Sequence, residues 1–193
     1  MLSGIAEYIN VDYDKDYLIR KHNEVRGTQG KEYIECGTES HILRDNPDYY
    51  RQWEHILTIM SGVHMGMCEH GTGFNLNGTP TAGVPPHIDF DEREGNQFNL
   101  LLPMFGQAKI GIYETHQHQL EYRHGMTHWN MLQDKYPAIS MGEILVDKPV
   151  LLNTAYLHDV QVVNAPRAIF CVAWRGINKT YNEFKRYAEK ALT

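Results

Sequence analysis

The sequence predicts a mainly β protein, an antiparallel barrel or sandwich braced by helices near its two ends. Short alternating runs separated by turn residues recur from residue 86 onward, with no helical period between them. Clear helical spacing is confined to the first sixty or so residues and to the stretch after residue 179. At 193 residues, 42% hydrophobic and 22% charged, the chain is long enough to form one core without disulfide or metal staples. Mean hydropathy is −0.49, and no apolar run approaches the ~18 residues of a membrane span, so a soluble folded domain is expected.

Residues 14–25 place Leu18, Ile19, His22 and Val25 at helical spacing, and Gly27 with Gly30 is expected to close that helix. A second helix is expected after Asn46, a natural N-cap. Pro47 suits its first position, and Tyr50, Trp53, Leu57 and Met60 form one apolar stripe. Residues 62–86 are rich in glycine and proline and read as loop with one short strand. Strands are then expected at 87–90, 97–102, 108–114, 149–152, 158–163 and 167–174. Residues 115–140 fit neither period. They hold His116, His118, His124, His128 and Trp129, and read as an inserted lid or a partly helical excursion. Thr180-x-x-Glu183 makes a capping box for a last helix, with Tyr181, Phe184, Ala188 and Leu192 facing inward. The organisation is therefore a single domain: helical and irregular support over 1–84, a β core over 85–175, and a helical segment over 176–193.

Eighteen Lys+Arg against 24 Asp+Glu leaves a charge of −6 with no basic cluster, which argues against a nucleic-acid partner. Cys36, Cys68 and Cys171 are odd in number, far apart and outside any CxxC pair. That pattern disfavours a disulfide framework or a cysteine zinc site and suits a reducing cytoplasm. The first residues lack a basic region followed by an apolar one, so neither a secretory signal nor a membrane partner is expected.

The chemistry gathers around Pro86-His87-Ile88-Asp89. The two-residue period of a strand turns His87 and Asp89 to one face, so an imidazole and a carboxylate share one space. His158, at the head of another expected strand, supplies a third donor. Two histidines and one carboxylate on one face of a metal leave adjacent positions open, the arrangement by which ferrous iron holds a chelating co-substrate and O2 together. Arg167 follows nine positions later. With Asn164-Ala165-Pro166 as a turn, the strands of His158 and Arg167 become antiparallel neighbours, and a permanently charged planar fork stands one small-molecule length from the metal, suited to a dicarboxylate.

This pattern resembles the 2-oxoglutarate/Fe(II)-dependent oxygenases, in the prolyl or aspartyl/asparaginyl hydroxylase branch, over roughly residues 85–175. The resemblance implies a double-stranded β-helix, with His87, Asp89 and His158 as iron ligands and Arg167 as the anchor for the far carboxylate of 2-oxoglutarate. Arg175 is the other contender for that anchor. The run Val150-Leu151-Leu152-Asn153-Thr154 is similar to the strand and turn before the distal histidine of that branch. The implied reaction consumes 2-oxoglutarate and O2 and hydroxylates a C–H bond of an amino acid, a peptide side chain or another small polar molecule.

Further residues are expected to serve the co-substrate. Alternation puts Gln97 and Asn99 on one face, with Phe98 and Leu100 packing outward, so Asn99 is a candidate hydrogen-bond partner. Tyr113 is a candidate second partner for the carboxylate held by Arg167. Trp129, Tyr122 and Arg123 in the lid are candidates for the substrate. Two other readings stay open: a cupin-type metalloenzyme that makes no use of 2-oxoglutarate, and a non-catalytic jelly-roll binding module.

Overall fold

A computed structural model of the chain describes residues 2–29, 63–70, 73–74, 80–81, 83–89, 96–114, 127–128 and 139–193. The elements in order are β1 (Ala6–Tyr8), α1 (Lys15–Gln29), β2 (Val63–His70), β3 (Gly73–Phe74), β4 (Pro80–Thr81), β5 (Gly83–Ile88), β6 (Asn96–Tyr113), β7 (Thr127–His128), β8 (Ser140–Leu145), β9 (Val150–Asn153), β10 (Leu157–Ile177) and α2 (Tyr181–Leu192). The architecture is the expected mainly β fold with flanking helices. Among the described residues no helix is long and apolar enough to cross a membrane.

Two long strands organise everything else. β6 and β10 pair antiparallel from Leu157↔Tyr113 to Ile177↔Asn96, with register breaks around Asn164. At that corner Gly106 takes φ +66°, a conformation that favours a residue without Cβ, and an added Cβ there would meet the Pro166 and Asn164 carbonyls and the Arg167 backbone. Each long strand therefore serves two layers. The first half of β6 pairs with β9, and β9 with β1, while the second half of β10 pairs with β2. The second half of β6 pairs with β8, and the first half of β10 pairs with β5, which continues to β7. Chain threading of this kind makes a double-stranded β-helix.

Alternation along β6 and β10 divides the core in two. Phe98, Leu100, Leu102, Phe170, Val172 and Trp174 face the helices and meet Leu18 of α1 and Tyr181, Phe184 and Leu192 of α2. Phe184 stacks on Phe98 with ring centroids 4.9 Å apart and meets Trp174 edge-on at 5.0 Å. Such aromatic pairs add about 0.5–1.5 kcal/mol each beyond simple burial. The opposite face contributes Leu101, Ile110, Ile112, Leu152 and Ile169 to an apolar cluster between the layers. α2 starts as expected: the Thr180 hydroxyl accepts from the Glu183 amide, the Thr180 amide donates to the Glu183 carboxylate, and Tyr181, Phe184, Ala188 and Leu192 are all buried.

Several elements differ from expectation. α1 runs through Gly27 as far as Gln29, the residue before Gly30, so of the two glycines Gly27 does not end it. Residues 63–88 hold four strands where a loop with one strand was expected: β2 pairs with the second half of β10, β5 with its first half, and β3 with β4, and that pairing overrides the local cost of glycine and proline. The expected pairs 97–102 with 108–114, and 158–163 with 167–174, are each one continuous bent strand. Asn164-Ala165-Pro166 is accordingly a corner within β10 and not a hairpin turn, so the halves carrying His158 and Arg167 pair with β6 in different layers. The helix expected after Asn46 and all of 115–140 except 127–128 and 139–140 lie outside the described residues.

Candidate metal centre

His87 is the penultimate residue of β5, and Asp89 follows immediately after the strand. His158 stands near the head of β10, directly opposite His87 in the β5–β10 register. Cross-strand pairing thus brings together two imidazoles that are 71 positions apart in sequence. Their ring centroids lie 4.3 Å apart. His87 Nε2 is 3.2 Å from Asp89 Oδ1, and His158 Nε2 is 3.9 Å from Asp89 Oδ2. One ligand atom from each of the three residues lies within 4.8 Å of the other two.

That spacing can be tested against an ion. Two donors at ~2.1 Å from a metal and at right angles to each other are about 3 Å apart, close to the distance between His87 and Asp89. The donor set fits: two imidazole nitrogens and one carboxylate oxygen suit ferrous iron or another divalent first-row metal.

The surroundings prepare each donor. Asn153 begins a tight turn, its side-chain oxygen accepting from the Ala155 amide at 3.1 Å and its carbonyl from the Tyr156 amide at 3.3 Å. Thr154, fully buried, ties the turn to β6 through its hydroxyl and the Gln97 carbonyl at 3.2 Å. The turn delivers the Tyr156 carbonyl to within 2.9 Å of His158 Nδ1. With Nδ1–H donating there, Nε2 is left as the acceptor or metal-binding nitrogen. From the other layer, Asn99 Nδ2 donates to Asp89 Oδ2 at 3.1 Å.

Burial alone would raise the Asp89 carboxyl, but the His87 hydrogen bond, the charges of His158 and His87, and Asn99 together hold it below its usual range. Burial pushes His158 down, reinforced by His87 and opposed by Asp89 and the Tyr156 carbonyl. Both shifts favour the deprotonated forms that bind metals.

The other expected site residues divide. Arg167 is buried at 2% exposure. Its regular pairing with β2 puts it on the same face as Ile169 and Cys171, which turn toward the space between the layers. Asn99 is inward-facing as expected, but its partner is Asp89. Tyr113 points elsewhere. It pairs with Leu157, beside the Gly111–Asp159 pair, and its hydroxyl donates to Asp159 Oδ2 at 2.9 Å. His158 pairs instead with inward-facing Ile112, so Tyr113 lies on the opposite side of the sheet from the triad. Arg175 lies on β10, but its side chain is outside the described set, as are Arg123, Tyr122 and Trp129.

Sequence reasoning missed two groups. One is the Tyr156 carbonyl, which only the fold of the 153–156 turn reveals. The other is Asp159, which accepts from the Gly111 amide, the Tyr113 hydroxyl and the Gln161 side chain, each at 2.9 Å. Strand period already separates Asp159 from the face of His158.

No protein-family model matches the chain, and no curated protein matches it in sequence. Solved structures do match it in fold. HygX from Streptomyces hygroscopicus, with nickel and 2-oxoglutarate bound, aligns over 93% of this chain and 86% of its own, at TM-score 0.50 and 9% identity. Hydroquinone 1,2-dioxygenase PnpCD, in complex with Cd2+ and 4-hydroxybenzonitrile, aligns over 63% of this chain and 64% of its own, at TM-score 0.35 and 14% identity. An oxalate oxidase aligns over 58% and 41%, at TM-score 0.33 and 16% identity. The chain spans less than two thirds of the length of those last two. The topology and the match in fold together show a mainly β fold of the double-stranded β-helix kind, a jelly-roll or cupin-like barrel.

Proposed function

We propose that the chain is a non-haem Fe(II) oxygenase that couples decarboxylation of 2-oxoglutarate to hydroxylation of a C–H bond in an amino acid, a peptide side chain or another small polar molecule. The observation that carries this reading is the convergence of His87, Asp89 and His158, one ligand atom of each lying within 4.8 Å of the other two. Three protein donors of this kind leave adjacent positions for a chelating co-substrate and O2.

In this reading His87, Asp89 and His158 hold the metal, and the Tyr156 carbonyl keeps the His158 ring in its metal-binding tautomer. Arg167 binds the far carboxylate of 2-oxoglutarate, its planar fork matching the two oxygens. Leu101, Ile110, Ile112 and Ile169 keep the space between the layers apolar and limit water around the reacting groups. When bound, ferrous iron supplies the O2 activation that oxidises 2-oxoglutarate to succinate and CO2 and converts the substrate C–H to an alcohol. A cytoplasmic location belongs to the same reading and rests on the cysteine spacing.

The test is succinate release with Fe(II) and 2-oxoglutarate across a panel of amino acids and peptides. Turnover, whether coupled or uncoupled, that disappears in H87A and H158A supports the reading. Absence of all turnover, together with no binding of metal or 2-oxoglutarate, overturns it.

A further inference from the structure

The two oxygens of Asp89 are used differently. Oδ1 faces His87 Nε2 at 3.2 Å, whereas Oδ2, 3.9 Å from His158 Nε2, receives the Asn99 N–H at 3.1 Å. Asn99 reaches it from the other layer, at a position of β6 opposite Leu152 and Ala173. Its own side-chain oxygen is buried with no hydrogen-bond partner among the described residues. A fold selected for stability alone has no use for that orphan, since an apolar side chain of similar shape would leave nothing unsatisfied. The amide at position 99 therefore serves the carboxylate.

Building on the metal-centre reading, we propose that Asn99 is a positioning residue that keeps Asp89 monodentate. A carboxylate free to rotate can offer both oxygens to a metal and occupy two positions. Engaging Oδ2 with an N–H donor leaves Oδ1 to coordinate alone. The number of positions left for exchangeable ligands is then set by an asparagine that does not itself touch the metal.

Mn(II) is a suitable probe, because it shares the preference for nitrogen and oxygen donors and its coordinated waters are counted by water-proton relaxation. Wild-type protein, N99L and N99A are each loaded with Mn(II), with circular dichroism and thermal melting as checks on folding. N99L removes the donor and the orphan oxygen while keeping the branching and the number of side-chain heavy atoms, and N99A is the second variant should N99L fail to fold. The expected result is retained Mn(II) binding with inner-sphere relaxation reduced by about one third, as about three waters become about two in an octahedral site. Unchanged relaxation in a folded, metal-bound variant overturns the role of Asn99. Loss of Mn(II) from a folded variant also overturns it, since Asn99 would then govern affinity and not denticity. Failure of the wild type to bind Mn(II) overturns the metal-centre reading and this inference with it.

Discussion

His158 Nδ1 lies 2.9 Å from the carbonyl oxygen of Tyr156, two residues upstream, so the nitrogen turned toward Asp89 is Nε2. Burial holds this imidazole below the ordinary histidine value of 6.5. Between the lowered value and 6.5, the unfolded chain carries more protons at this position than the folded one, so metal-free stability rises with pH through that window and falls as pH drops below 6.5. Asp89 acts in the same direction lower down: its contribution is present above 3.8 and is lost as pH falls through its depressed folded value. Urea midpoints of metal-free protein measured at a series of pH values should decline from 6.5 downward. H158L should flatten the upper part of that decline, and an identical profile in the variant would remove His158 as its source.

Arg167 divides the oxygenase reading from a metalloenzyme that ignores 2-oxoglutarate. R167A should raise the KM for 2-oxoglutarate by at least tenfold, equivalent to about 1.4 kcal/mol or more of lost binding. R167K should recover only part of this, because an ammonium group lacks the bidentate fork. The metal affinity of both variants should stay near that of the wild type. Turnover indifferent to R167A in folded protein would transfer the centre to chemistry without this co-substrate.

Tyr113 provides the contrast. Burial, together with the hydrogen bond and charge of Asp159, pushes its phenol up to about 12. Its share of stability is present below 10 and is lost as pH rises toward the folded value. Spectrophotometric titration should show one phenol ionising well above the others, and Y113F should remove it. Because the hydroxyl lies across the sheet from the triad, Y113F should leave the KM for 2-oxoglutarate within about twofold of wild type, a change under about 0.5 kcal/mol. A tenfold increase would return Tyr113 to the co-substrate.

G106A tests the corner that separates the two layers. The positive φ strains any L side chain, and the new methyl would sit 2.6 Å from Arg167 Cα. A loss of about 1–3 kcal/mol in denaturant unfolding is expected, from backbone strain plus the displaced β10 backbone. The affinity for 2-oxoglutarate should weaken as well, through movement of Arg167. A variant equal to wild type in both measurements would show that the corner relaxes freely.

What the sequence revealed depended on range. The Thr180–Glu183 cap and the inward set Tyr181, Phe184, Ala188 and Leu192 were readable because a helix start and its apolar stripe are settled within a few residues. His87, Asp89 and His158 were readable as candidates because the strand period and a short downstream signal carry them. That Asn99 shares a face with Gln97, opposite Phe98 and Leu100, followed from alternation. Its bond to Asp89 did not, because that contact crosses between layers. The face that Tyr113 takes was not readable for a related reason: alternation says which residues share a face, and only cross-strand register says which face is inside. β2 escaped notice since its partner lies about a hundred residues downstream, and nothing local in Val63–His70 advertises an edge strand.

β6 and β10 run without interruption through both layers. A sandwich made of separate sheets can slide or gape, whereas here parting the layers would tear backbone hydrogen bonds out of both central ribbons at their shared corner. Clamshell breathing is thereby suppressed, and the walls that carry His158 and Asn99 hold a fixed spacing across the barrel.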